Sequence, residues 1–127
     1  MRWANKYRVA PADQRKAFGK TYASKAEREY AEWCHAMVKA GGFRFVLEQV
    51  TLWLGVPENT YRPDFFVMYA DGTYAFVDVK GMETPAFKKT VKLWRAYGPC
   101  RLLVVKKSGK NFKTAYVVEG GSTWQPR

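Results

Sequence analysis

The chain has 127 residues, 47% hydrophobic and 17% aromatic, enough for one folded domain with its own core and too apolar for a disordered segment. Its 22 Lys and Arg against 11 acids give a net charge of +11, which points to a polyanionic partner, nucleic acid before an anionic membrane. No apolar run approaches the ~20 residues of a membrane span, the basic N-terminus does not lead into a signal-peptide core, and zinc is disfavoured because His35 is the only histidine and Cys34 and Cys100 lie far apart. A reduced, cytoplasmic protein is the expectation.

Residues 1–20 carry Arg2, Lys6, Arg8, Arg15, Lys16 and Lys20 against one acid, Asp13, with Trp3, Tyr7 and Phe18 interleaved. They read as an irregular basic arm ending in a short hairpin around Gly19. The three aromatics either stack on bases or anchor the arm to the core. A helix is expected from Ser24 to Ala40, because Tyr30, Trp33, Cys34, Met37 and Val38 recur at helical spacing and Gly41-Gly42 supplies a stop. Within it His35 reads as an ordinary helix residue. Phe43 to Leu54 reads as one strand, with Glu48 and Gln49 in its middle, followed by a loop at 55–60.

Two strongly apolar strands follow, Arg62-Pro63-Asp64-Phe65-Phe66-Val67 and Phe76-Val77-Asp78-Val79-Lys80-Gly81, joined at Ala70-Asp71-Gly72 by a hairpin signal. Thr84-Pro85 opens a second helix that Gly98-Pro99 ends, with Phe87, Val91, Trp94 and Tyr97 as its buried stripe and Lys88, Lys89, Lys92 and Arg95 on much of the rest. Arg101–Lys106 and Phe112–Val118 read as a final hairpin around 108–111, and residues 107–127 as hairpin strand and tail. The order is helix, three strands, helix, one or two strands, and strands apolar on both faces imply a mixed central sheet flanked by helices on both faces.

Asp64, Asp78 and Lys80 are costly in such strands unless paired or holding a metal. Alternate residues share a face, so Asp78 and Lys80 point the same way. Asp64 depends on the hairpin register. A two-residue turn at Asp71-Gly72 pairs Asp64 with Val79 and sends it to the opposite face; a three-residue loop with Gly72 left-handed sets Asp64 across from Asp78, ~5 Å apart at Cβ. Of the first helix's acids, Glu27 lies at the edge of the apolar stripe, whereas Glu29 and Glu32 face away. Glu27 also fits a capping box with Ser24, and on position alone either role stands. Asp64 and Asp78, with Glu27 as a third candidate, form a hard-oxygen set suited to Mg²⁺ or Mn²⁺. Lys80 beside them can position a water or neutralise a phosphorane; the alternative is a structural Asp78–Lys80 pair. Thr84 reads as a helix cap that can also touch a phosphate. The Lys88-Lys89-Lys92-Arg95 face tracks a nucleic-acid backbone or is a plain solvated surface.

Pro63-Asp64 with Asp78-Val79-Lys80 resembles the signature of the PD-(D/E)XK nuclease superfamily, and Glu27 in Ala26-Glu27-Arg28-Glu29 resembles the first-helix glutamate of archaeal-type Holliday junction resolvases. The chain is also similar to phage-encoded members of that superfamily over roughly residues 6–106, through Lys6-Tyr7, Gly19, Ser24-Lys25-Ala26-Glu27, Leu47-Glu48-Gln49, Pro63-Asp64-Phe65, Asp71-Gly72, Asp78-Val79-Lys80-Gly81 and Thr84. The resemblance implies an αβββαβ restriction-endonuclease-like core, Mg²⁺-dependent endodeoxyribonuclease activity and a homodimer. It makes Asp64 and Asp78 metal ligands, with Glu27 accessory and the Val79 carbonyl a further ligand, Lys80 the catalytic lysine and Gln49 a residue near the site. The motif's third position is Asp78 where Glu is commoner. Arg15, Lys16, Lys20, Lys25, Arg62, Thr84, Lys88, Lys89 and Lys92 are the candidate DNA contacts.

By analogy the substrate is branched DNA of recombination or replication. The alternatives are a sequence- or lesion-directed nuclease, of transposon-end or mismatch type, and a non-catalytic nucleic-acid-binding module. Trp53, Trp94 and Trp124 cannot all share one small core, and those left exposed hint at an interface.

Overall fold

The computed structural model describes residues 9–121. Trp3, Tyr7, Arg2, Lys6, Arg8 and Trp124 lie outside them. After a short 3₁₀ turn at Ala12–Arg15, the chain forms β1 (Lys16–Ala17), β2 (Lys20–Thr21), α1 (Lys25–Ala40), β3 (Phe43–Glu48), β4 (Leu52–Trp53), β5 (Thr60–Tyr61), β6 (Phe65–Tyr69), β7 (Tyr74–Val79), α2 (Pro85–Tyr97), β8 (Leu102–Ser108) and β9 (Asn111–Val118). Five strands make the central sheet in the order β3-β6-β7-β8-β9. It is mixed: β3, β6 and β7 are antiparallel, β7 and β8 run parallel across the α2 crossover, and β9 returns antiparallel.

Both helices begin and end where local chemistry directs. Ser24 Oγ accepts the Glu27 N–H at 3.0 Å, and the far end of α1 closes on Gly41, left-handed at φ +82°. Thr84 Oγ1 accepts the Phe87 N–H at 3.1 Å, with Pro85 in the first turn. On α1 the buried side chains are Glu27, Tyr30, Ala31 and Cys34, a stripe at helical spacing. They meet Phe65, Val67, Val77 and Val105 on one sheet face. On the other face Phe76, Leu102, Val104 and Val118 pack against Phe87, Val91 and Trp94 of α2. The sheet is therefore covered by one helix on each side, which is why β6 and β7 lack polar–apolar alternation. Among the described residues no helix is long and apolar enough to cross a membrane.

Some expectations fail locally. The strand from Phe43 ends at Glu48, because Gln49 takes a left-handed backbone (φ 57°) and donates its N–H to the Asp64 carbonyl at 3.2 Å. Leu52-Trp53 then pairs with Thr60-Tyr61 as a separate hairpin, so part of the expected loop is ordered strand. Tyr97 is half exposed rather than part of the α2 stripe, its ring lying where a side chain on Gly55 would be. Trp33 and Val38 of α1 are also partly exposed, at 44% and 39%. The hairpin around Gly19 is present as β1–β2, and Phe18 at its tip stacks on His35 at 3.5 Å between centroids, tying it to α1. Of the tryptophans in question, Trp94 is fully buried and Trp53 is 67% exposed.

The β6–β7 connection sets the register. Tyr69 N–H donates to the Thr73 carbonyl at 2.8 Å, leaving Ala70, Asp71 and Gly72 as a three-residue loop. Asp71 Oδ1 accepts from the Thr73 N–H (2.9 Å) and hydroxyl (2.6 Å), and Gly72 sits at φ +90°. The ladder then pairs Met68 with Tyr74, Phe66 with Phe76 and Phe65 with Val77. No atom lies within 4 Å of a Cβ placed on Gly72, so the cost of substitution there is all backbone. Gly72→Val should lose about 1–2 kcal/mol in urea unfolding and Gly72→Asn clearly less, since Asn tolerates positive φ.

Candidate active site

Continuing the β6–β7 ladder by one step sets Asp64 across from Asp78, on the face that also carries Phe66 and Phe76. Side-chain contacts agree: Asp64 N–H donates to Asp78 Oδ1 at 3.3 Å, and Val79 N–H donates to Asp64 Oδ2 at 2.8 Å. Lys80, two residues beyond Asp78, places Nζ 3.5 Å from Asp78 Oδ2 and 4.3 Å from the centre of the Phe87 ring of α2. Tyr61 of β5 donates its hydroxyl to the same Asp78 oxygen. Asp78 is 2% exposed, a burial tolerable for a carboxylate because three donors surround it.

Glu27 approaches from α1. Its N–H completes the Ser24 cap, while its carboxylate Oε1 accepts from Gln49 Nε2 at 3.1 Å. Cap and site thus use different atoms of one residue, and Gln49 is the link. Its left-handed backbone costs about 1–2 kcal/mol and aims the amide at Glu27 while its N–H holds the Asp64 carbonyl. The next residue back, Glu48, is occupied elsewhere, by Tyr22 Oη and Lys20 Nζ, each at 2.7 Å.

The acids repel one another. Burial first, then the Asp78 charge and its hydrogen bond, with Glu27 adding, raise the Asp64 carboxyl far above its ordinary range; the Val79 N–H opposes this. Glu27 is raised by burial and by the Asp78 charge, against a backbone N–H from Ala23 and the more distant Lys80. Burial and the adjacent Asp78 push the Tyr61 hydroxyl up, so it remains a donor. Among the described residues no three His, Cys, Asp or Glu side chains converge as a ready-made metal site. A facing carboxylate pair nonetheless suits a hard divalent cation such as Mg²⁺, which commonly takes one or two carboxylates and fills its other positions with water and substrate oxygens.

The expected DNA contacts differ in whether the fold also uses them. Lys16, Arg62, Lys88, Lys89 and Lys92 are exposed, the last three on α2 with Arg95. Arg15, Lys20 and Lys25 are engaged within the fold: Arg15 Nη1 holds the Tyr22 carbonyl at 2.9 Å, Lys20 pairs with Glu48, and Lys25 lies 4.0 Å from Glu29. Thr84 accepts the helix-capping bond. Tyr61 is the residue that sequence reasoning missed. It stands three positions before Asp64, but no periodic pattern marks a two-residue strand, and only the hairpin brings its hydroxyl to Asp78. A cavity of about 670 Å³ between α1 and β3 is lined by Phe18, Cys34, His35 and Phe45 and includes neither Asp64 nor Asp78. The carboxylates stand outside it.

No family model, curated protein or solved structure matches the chain.

The raised Asp64 carboxyl gives a signed expectation. The unfolded chain releases this proton near the ordinary 3.8, before the folded protein does, so Asp64 increasingly opposes folding as pH rises from there through its folded value. Asp64→Asn keeps an oxygen for the Val79 N–H and removes the charge. In EDTA at pH 8 it should melt about 2–8 °C above wild type, the difference vanishing toward pH 3. Mn²⁺ should raise the melting temperature of wild type and leave the variant unmoved.

Proposed function

We propose that the protein is a divalent-metal-dependent endonuclease of the PD-(D/E)XK type, hydrolysing phosphodiester bonds in DNA, selective for branched DNA and acting as a homodimer. The observation that carries the reading is the cross-strand placement of Asp64 beside Asp78, with Lys80 on the same face. Two acids and a lysine in that relation serve phosphoryl chemistry, and a chain of net charge +11 with lysines exposed along α2 suits a polyanionic substrate.

In this reading Asp64 and Asp78 hold Mg²⁺ or Mn²⁺, with the Val79 carbonyl and Glu27 as further oxygen donors. The bound cation supplies charge neutralisation and an acidified water. Asp78 is oriented by Tyr61 and by the Asp64 N–H, and Asp64 by the Val79 N–H. Gln49 fixes one oxygen of Glu27. Lys80, supported by the Phe87 ring, meets a non-bridging phosphate oxygen and stabilises the charge that builds there. Water oxygen forms one P–O bond as one ester P–O bond breaks, the water giving up a proton to solvent and the leaving oxygen taking one up. Lys88, Lys89, Lys92 and Arg62 hold the flanking backbone and carry little sequence information.

Incubation with four-way junction, flap, single-stranded and linear duplex DNA, with Mg²⁺ or EDTA, tests the reading. Junction cleavage that EDTA abolishes is expected. Equal cutting of linear duplex moves the assignment to a sequence- or lesion-directed nuclease, and binding without any cutting to a non-catalytic module.

Asp78→Asn should reduce cleavage to background while DNA affinity stays near wild type and falls steeply with salt. Lys80→Ala should lose about 10²–10³-fold in kcat, the size of one transition-state charge contact. Glu27→Gln retains the backbone half of the helix cap and is a much poorer metal ligand. Melting unchanged or raised, with lost cleavage, assigns Glu27 to the site, whereas full activity returns it to the cap alone.

A further inference from the structure

The Asp78–Lys80 pair is wider than a direct charge-assisted bond, as is the Lys106–Glu83 pair, also at 3.5 Å. Nζ lies 3.5 Å from Asp78 Oδ2, whereas the more exposed Lys20–Glu48 pair closes to 2.7 Å. Charge-assisted N–H···O bonds normally settle at about 2.7–2.9 Å. At Asp78 the oxygen facing Lys80 has a second donor: the Tyr61 hydroxyl donates to that same Oδ2.

Tyr61 is placed by a stiff frame. In the β4–β5 hairpin Tyr61 pairs with Leu52, and the adjoining Leu54 is 1% exposed. Leu54 N–H donates to the Asn59 carbonyl at 2.8 Å, and Asn59 Nδ2 returns a bond to the Leu54 carbonyl at 3.2 Å. The Tyr61 ring stands edge-on to the buried Trp94 at 5.8 Å and near Phe87 at 6.5 Å. Phe87 is also the ring beneath the Lys80 ammonium. One aromatic group therefore fixes both the hydroxyl that occupies Asp78 and the surface on which Lys80 rests.

We propose that Tyr61 is a positioning residue that sets the separation of Asp78 and Lys80: its hydroxyl occupies Asp78 Oδ2, prevents the ammonium from closing there as a tight ion pair, and so leaves Lys80 available to a phosphate. Without that hydroxyl, the buried carboxylate oxygen has Lys80 as its nearest side-chain donor and draws it in. The consequence for catalysis rests on the nuclease reading above; the consequence for Lys80 itself does not.

The test is Tyr61→Phe in the full chain, which keeps the ring in its aromatic setting, with circular dichroism to verify the fold. Lys80 modification by an amine-reactive ester is measured by mass spectrometry in metal-free, DNA-free protein, with Lys88 as internal reference. Tyr61→Phe should lower Lys80 labelling about three- to tenfold as the ammonium becomes tied to Asp78. In the Asp78→Asn background the same substitution should change labelling little. On junction DNA it should lower kcat about 10–100-fold with KM near wild type. Unchanged Lys80 labelling, or an equal fall in the Asp78→Asn background, overturns the positioning role. Failure of the wild-type protein to cleave any DNA overturns the nuclease reading and leaves the labelling result standing.

Discussion

The site depends on the register between β6 and β7. Side chains alternate faces along a strand, so a slip of one residue would send Asp64 to the α1 side while Asp78 and Lys80 stayed on the α2 side. What prevents the slip is a loop of three residues rather than two, closed by the Asp71–Thr73 bonds and allowed by the positive φ of Gly72. The apolar pairs in the ladder reinforce it. Phe65 and Val77 are buried toward α1, and Phe66 and Phe76 face the other side; a shifted register would exchange these environments throughout.

Given that register, electrostatics separates two similar carboxylates. Asp78 is deeply buried but accepts from Tyr61, Lys80 and the Asp64 backbone. Asp64 receives the Val79 N–H and faces the charges of Asp78 and Glu27. Repulsion of this kind opposes folding, so the arrangement costs stability at one residue. The segment between β3 and β6 brings both flanks into this arrangement: Gln49 at its start reaches Glu27, and Tyr61 near its end reaches Asp78. A strained backbone at Gln49 and a phenol directed at a buried acid are features that core packing alone does not require.

The basic residues are not one surface. Arg15 and Lys20 hold the β1–β2 hairpin, through the Tyr22 carbonyl and through Glu48. Phe18 completes that attachment by stacking on His35, so an aromatic that alone suggested base stacking has a structural partner. Along α2 the situation differs. Phe87, Val91 and Trp94 occupy its buried side, leaving Lys88, Lys89, Lys92 and Arg95 exposed next to the element that supports Lys80.

Much of the frame was determined by local sequence. Ser24 with Gly41 and Thr84-Pro85 with Gly98 bound the two helices, because caps and stops act within a few residues. Strands apolar on both faces required cover on both sides. The Asp78-x-Lys80 spacing placed those two groups on one face whatever the rest of the chain did. Other features belonged to tertiary structure. Ala70-Asp71-Gly72 allowed two registers, and hydrogen bonding with the packed strands selected one. The break after Glu48 came from a backbone bond between Gln49 and Asp64, residues apart in sequence, so continuous β-propensity through Leu54 did not reveal it. Tyr61 had no periodic signal of its own; a two-residue strand is recognised by its partner, and the hydroxyl acquires its role only where β5 brings it to Asp78. Local sequence thus determined what pairs of near neighbours enforce, whereas bonds between distant segments decided which side chains meet.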